Sequence, residues 1–310
     1  MTTARKVRII GVPYCYGKDS EALSYAPKTL RESGLYGALA IAKIPFEDIG
    51  DIGVGKTQIT DAMKQSKLKH LPEVMSIAKG LSNKVEKILK AGEFPIVLGG
   101  DHSIAIGSLM GVANFDQDVT IIWIDSHGDF HTSETTPSGR LHGMALALGL
   151  GLDDAFSRFF SSPVKFCTQA ILFAAHKFDP GEREAVEAHI PLIDMSFVVQ
   201  YGIGKAVEKL LEQIKTKRIY ISLDLDSIDK LYAPGTDMAI DGALTYRELI
   251  YLLETLAACK EVVGIDLVEL EPENDIDQKT VNLSIESITA ALGNRIGAYE
   301  LYMDALEPVG

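Results

Sequence analysis

No apolar stretch in these 310 residues reaches the ~18–20 residues of a membrane span, so no transmembrane helix is expected. A signal-peptide core is missing too: Met1-Thr-Thr-Ala-Arg-Lys6 leads directly into Val7-Arg-Ile-Ile-Gly11, which reads as a first strand. Cysteine is scarce. Cys15, Cys167 and Cys259 are odd in number and far apart, which speaks against a disulfide framework and predicts reduced, partly buried thiols in a cytoplasmic protein. Basic charge is outweighed, 30 Lys and Arg against 43 Asp and Glu, for a formal net charge of −13. No Lys/Arg cluster is dense enough to follow a phosphate backbone, so nucleic acid is not an expected partner. The acidic balance can draw in a cationic substrate, although it is common among soluble enzymes. Linkers, repeats and low-complexity tracts are absent, which predicts a single domain over residues 1–310.

What the chain has is strand-like runs alternating with helical periods. Apolar, β-branched runs predict strands at 7–11, 44–49, 95–98, 119–124, 170–174, 191–193, 218–223 and 262–267. Spacing near 3.6 predicts helices at 75–89, 104–112, 180–189, 203–214, 246–258 and 280–292, with Asp179 a candidate cap for the third. The alternation implies an α/β fold: a three-layer αβα domain around a mostly parallel, eight-stranded sheet.

Carboxylates and imidazoles stand at the carboxyl ends of three of these strands, where ligands gather in open α/β sheets. Gly99-Gly-Asp-His102-Ser follows the third strand, Asp125-Ser-His127-Gly-Asp129-Phe-His131 the fourth, and Asp224-Leu-Asp226 the seventh. An extended backbone turns alternate side chains one way, so Asp125, His127 and Asp129 can face one point. Four carboxylates so close would repel without cations between them. His102, Asp125, His127, Asp129, Asp224 and Asp226 are therefore candidate ligands for two divalent metal ions, a donor set that suits hard or borderline cations. Asp101 reads instead as the cap of the following helix.

A rival motif is Gly50-Asp-Ile-Gly-Val-Gly55-Lys56-Thr57, which matches the phosphate-loop pattern of nucleotide triphosphatases. Its context argues against that use. Glu47, Asp48 and Asp51 crowd the approach with negative charge, and residues 58–69 show little apolar periodicity.

The motifs together resemble the ureohydrolase family, arginases most closely. The matching elements are Gly99-Gly-Asp-His-Ser103, Asp125-Ser-His-Gly-Asp129, Ser138-Gly-Arg-Leu-His-Gly-Met144, Asp179-Pro-Gly-Glu182, Ser222-Leu-Asp-Leu-Asp-Ser-Ile-Asp229 and Leu244-Thr-Tyr-Arg-Glu248. The resemblance spans nearly the whole chain, in order. It implies two Mn²⁺ ions on the six candidate ligands, although Fe²⁺, Co²⁺ and Ni²⁺ suit similar shells. It implies hydrolysis of a small guanidino substrate, L-arginine, to urea and L-ornithine. A hydroxide shared by the two ions would attack the guanidinium carbon, with Asp129 both ligand and proton carrier. Glu269 matches the glutamate that pairs with the guanidinium, and His142 the histidine that shuttles protons. The resemblance implies that Ser138, with the His131 and Arg140 positions, faces the amino-acid end of the substrate, and that Asp179 and Glu182 are also substrate-binding. The resemblance also implies a homo-oligomer, trimer or hexamer.

The substrate shell departs from that pattern. Arginases usually have asparagine where this chain has His131 and Arg140; an acidic residue is common where Lys177 stands; and the usual arginine near Gly17 is replaced by Ser20. Arg140 can grip a substrate carboxylate or be pinned by Glu134 or Asp179. Agmatine, another guanidino acid or formiminoglutamate are accordingly alternative substrates. A fold relative that keeps the metal but serves only as a binding subunit is a further alternative, which the presence of both Glu269 and His142 argues against.

Overall fold

The computed structural model describes residues 5–18, 20–55, 61–153 and 165–295. Its strands are β1 (Val7–Val12), β2 (Phe46–Asp51), β3 (Phe94–Gly99), β4 (Val119–Ile124), β5 (Ala170–Phe173), β6 (Leu192–Ile193), β7 (Arg218–Asp224) and β8 (Glu261–Val268). They form one sheet in the order β2-β1-β3-β8-β7-β4-β5-β6. Every neighbouring pair is parallel, so the sheet is wholly rather than mostly parallel. All eight expected strands are present, each within two residues of its expected ends.

The helices are α1 (Ala26–Leu30), α2 (Tyr36–Ile41), α3 (Asp61–Gln65), α4 (Leu71–Lys90), α5 (Ala105–Phe115), α6 (Ala145–Gly149), α7 (Glu182–His189), α8 (Met195–Gln213), α9 (Tyr246–Cys259) and α10 (Lys279–Ala291). Alternation along the strands divides the core into two layers. Ile96, Leu98, Ile122 and Ile124 face one layer, against Leu39 of α2, Val207 and Leu210 of α8, Leu253 of α9 and Ile288 of α10. Val97, Ile121 and Trp123 face the other, against Leu81 of α4, Leu109 of α5, Leu146 of α6 and Val186 of α7. β3 and β4 are buried end to end, as central strands covered on both faces must be.

Three expectations are corrected. Helix α8 begins at Met195, well before residue 203, because the Asp194 side chain accepts from the Phe197 N–H at 2.9 Å and caps it. Gly202 (φ +80°) kinks that helix and breaks the 3.6 period that would have shown its first part. Asp179 does not cap α7; its own N–H donates to Glu182 Oε2 at 3.0 Å, and the residue before the helix is Gly181 in the left-handed region. Cys259, expected to be partly buried, is exposed, while Cys167 is buried.

Consecutive strands β3 and β4 are separated in the sheet by β8 and β7. This break in strand order is the topological switch point at which α/β sheets bind ligands. Four strand ends meet there: Gly99, Val268, Asp224 and Ile124.

Candidate active site

Each strand end delivers polar side chains to one spot. After β3, Asp101 accepts from the Ser103 N–H at 2.9 Å and caps the turn His102–Ile104, as expected. The same carboxylate accepts from the Gly17 N–H at 2.9 Å and so ties in the loop after β1. His102 is fixed from three directions. Its backbone N–H donates to Glu269 Oε1 at 2.8 Å, its Nε2 lies 3.0 Å from Ser222 Oγ, and its ring stacks on Trp123 with centroids 3.9 Å apart.

His102 Nδ1 then points at carboxylates alone. It lies 3.1 Å from Asp125 Oδ2, 3.2 Å from Asp129 Oδ2 and 3.1 Å from Asp224 Oδ2, yet it has no hydrogen-bond partner and is buried. On the other side of Asp125, His127 Nδ1 lies 3.5 Å from Asp125 Oδ1 and 3.1 Å from Asp226 Oδ2. Two groups result, His102–Asp125–Asp129 and Asp125–His127–Asp226, with Asp125 common to both. All six candidate ligands are thus brought together, but not around one point. Asp129 reaches the first group from a left-handed backbone (φ +49°) rather than an extended one. Its carbonyl accepts from the N–H groups of Leu146 and Ala147 at the start of α6, which holds that conformation.

The donor set fits divalent cations. Three of the four carboxylates are under 5 % exposed and the fourth, Asp129, is 7 % exposed. Burial and the neighbouring Asp226 raise the pKa of Asp224 well above the carboxylate range. Burial opposes charge on His102 as well, but the surrounding carboxylates lift its pKa well above the imidazole range. An unpartnered buried nitrogen among crowded carboxylates is what a metal-binding cluster looks like without its ions.

A cavity of about 750 Å³ opens above the cluster. Glu269, directly after β8 in the left-handed region (φ +64°), lies at its base, and His142 Nδ1 is 3.9 Å from Glu269 Oε1. Ser138, Arg140, His131, Asp179, Glu182 and Lys177 also line it. Some of their bonding capacity is already used. His131 Nε2 lies 3.0 Å from Asp179 Oδ2, and Glu182 accepts from the Phe130 and Asp179 N–H groups, both at 3.0 Å. Arg140 is pinned to neither Glu134 nor Asp179: among the described residues it forms no ion pair, and its buried Nε has no partner. Glu271 does not line the cavity; it accepts from Ser20 Oγ and from Asn274 Nδ2, both at 2.6 Å.

Sequence reasoning missed Lys18. Its ammonium is 2.8 Å from Glu269 Oε2 and 3.3 Å from Asp237 Oδ2, and the side chain is only 6 % exposed. Burial opposes its charge, but the adjacent Glu269 carboxylate outweighs this and raises its pKa. Glu269 in turn stays ionised despite burial because of Lys18. The one clue in the sequence was that the loop holding Lys18 already departed from the arginase pattern at Ser20.

The phosphate-loop reading loses its support. Gly50 and Asp51 end the partly exposed edge strand β2, and Asp48 is bonded to Arg31 at 2.7 Å. Lys56 and Thr57 lie outside the described residues.

Fold and site define an α/β enzyme with a metal-binding cluster of carboxylates and imidazoles over a sheet switch point. The sequence model of the arginase family matches residues 5–293. Arginase from Bacillus caldovelox is 34 % identical over 94 % of this chain and 99 % of its own, and that from Staphylococcus aureus (strain MRSA252) is 32 % identical over 96 % and 100 %. Among solved structures, native Bacillus caldovelox arginase superposes with a TM-score of 0.86 at 33 % identity, covering 94 % of this chain and 99 % of that one. The Bacillus cereus arginase gives 0.85 at 30 %, with the same coverage. The chain belongs to the arginase family and is an arginase-like amidinohydrolase.

Proposed function

We propose that this protein hydrolyses the guanidino group of L-arginine, or of a closely related guanidino acid, to urea and the corresponding amine, using two Mn²⁺ ions. The observation that carries this reading is the pair of ligand groups joined through Asp125, with the orphaned Nδ1 of His102 aimed into one of them. His102, Asp125, Asp129 and Asp224 would hold one ion, and Asp125, His127 and Asp226 the other. When bound there, such ions lower the pKa of water toward neutrality and so provide a nucleophile.

The remaining residues bind and move protons. Glu269 offers a planar carboxylate to a planar cation, which favours paired, parallel hydrogen bonds. Burial pushes the pKa of His142 down to about 4, so its ring is neutral at pH 7. It therefore acts first as a proton acceptor and can afterwards pass that proton to the leaving amine. Asp129, both ligand and carboxylate, is the second proton carrier.

At the other end, the unpartnered Arg140 guanidinium suits a substrate carboxylate, with Ser138 beside it. His131 engages Asp179 and so competes with a substrate ammonium for that acceptor. These two features favour guanidino acids over agmatine, which has no carboxylate. The chain is further proposed to act as one domain, in the cytoplasm, as a trimer or hexamer.

The test is urea release by manganese-loaded protein from arginine, agmatine and guanidinobutyrate, and formamide release from formiminoglutamate. Turnover of a guanidino acid is expected, with kcat/KM reduced at least about 100-fold by Arg140→Ala if two charge-assisted bonds are lost. Agmatine as best substrate overturns the acid preference, and no turnover of any of the four overturns the reading as a whole.

A further inference from the structure

One carboxylate here is asked to serve two cations. Glu269 Oε1 accepts from the His102 N–H at 2.8 Å, and Glu269 Oε2 accepts from Lys18 Nζ at 2.8 Å. Both oxygens are engaged before any ligand arrives. A guanidinium paired with Glu269 would need the same two oxygens and would stand within a few ångströms of the Lys18 ammonium. Two like charges that close, beside side chains as buried as Lys18 and Glu269, repel strongly. A second acceptor for Lys18 lies within reach: Asp237 Oδ2, 3.3 Å away, on a side chain 47 % exposed at the cavity wall. A lysine stem has enough rotatable bonds to move its ammonium between two carboxylates without moving the backbone.

We propose that Lys18 is a specificity-determining residue, a tethered competitor that holds Glu269 while the pocket is empty and transfers to Asp237 when a cationic guanidino or amidino group enters. This rests on the reading of Glu269 as the anchor for that group. It makes entry selective. A ligand must bring enough binding from its far end to displace Lys18, and a bare cation competes poorly.

The test is calorimetric titration of the guanidinium ion into manganese-loaded wild type, Lys18→Met, Lys18→Gln, Asp237→Asn and the Lys18→Met/Asp237→Asn double variant. Removing a close competing charge should tighten guanidinium binding by about tenfold or more in both Lys18 variants. Asp237→Asn should weaken it, because displaced Lys18 then has no acceptor. In the double variant the Asp237 effect should vanish, since Asp237 acts only through Lys18. Lys18→Gln keeps a donor for Glu269 without the charge and guards against misfolding of the Met variant. Binding that weakens in both Lys18 variants would make Lys18 a positioning residue for Glu269 and overturn the proposal. So would unchanged affinity, an Asp237 effect that persists without Lys18, or no guanidinium binding by any form. Urea release by the wild type is read separately: its absence refutes the proposed reaction, while the titration still decides whether Lys18 competes for Glu269.

Discussion

A histidine ring that loses water loses its proton first. His142 is 27 % exposed at the side chain, and burial outweighs the attraction of Glu269 3.9 Å away, pulling its pKa from 6.5 to about 4. The unfolded chain therefore takes up a proton near pH 6.5 that the folded protein refuses until about pH 4. Stability contributed by the neutral ring is complete above pH 6.5 and is lost as pH falls toward 4. Metal-free wild type should lose more unfolding free energy than metal-free His142→Asn between pH 7 and 4.5, as read by urea denaturation at each pH. Parallel losses would show that the ring titrates normally. Residues of this kind differ in how visible they are beforehand. The six candidate ligands were legible because only a few residue types serve as donors and because they sit in short motifs at strand ends. Lys18 was not: its bond to Glu269 joins positions 251 residues apart, and nothing local marks a lone lysine as buried. Ser222 and Trp123, which fix the His102 ring, were hidden for the same reason inside an apolar strand pattern.

Among the elements, α4 packs closely against α5. Gly107 and Gly111 stand one turn apart on α5 and let its backbone approach α4. A Cβ on Gly107 would come within 2.8 Å of the Ala78 Cα and carbonyl oxygen, and one on Gly111 within 2.7 Å of Val85 Cβ. Backbone atoms cannot yield as a side-chain tip can. Gly107→Ala should therefore cost about 1–3 kcal/mol through overpacking, more than the up to ~1 kcal/mol that alanine gains in helix propensity. Gly37 in α2 has nothing within 4 Å of its would-be Cβ, so the same substitution there should stabilise by ~0.5–1 kcal/mol. Opposite shifts in thermal melting are expected; a stabilised Gly107→Ala would refute the close-approach argument. These glycines also show what the sequence conveyed about elements. Helices with an uninterrupted apolar face, such as α9, were legible almost to the residue, whereas the stretch from Glu21 to Ile41 was not. It is broken into pieces of five or six residues, with Gly34 (φ +113°) inside, too short for any period to emerge.

At the scale of the molecule, the sheet's edges and its charge decide how it can assemble and what it must bind. β2 is flanked by ion pairs, Glu47 with Arg8 and Asp48 with Arg31, and β6 has only two residues, so neither edge invites a further strand. Assembly, as proposed, would then use helical surfaces. The net charge of −13 is not spread evenly: Asp125, Asp129, Asp224 and Asp226 are concentrated in one buried cluster. Without cations that concentration opposes folding, because burial and mutual repulsion raise the pKa of Asp224 above the carboxylate range. Ions that bind the folded cluster and not the unfolded chain stabilise by mass action, about 2.7 kcal/mol at a hundredfold excess over Kd. For a chain of this size that corresponds to a rise in Tm of roughly 4 °C. Mn²⁺ added to metal-free protein should raise Tm by that amount, chelation should reverse it, and Asp125→Asn, which alters the residue common to both groups, should abolish most of the response. A wild-type Tm indifferent to Mn²⁺, with no metal retained after desalting, would mean that the carboxylates are reconciled by protonation alone, and the proposed hydrolysis would lose its source of nucleophile.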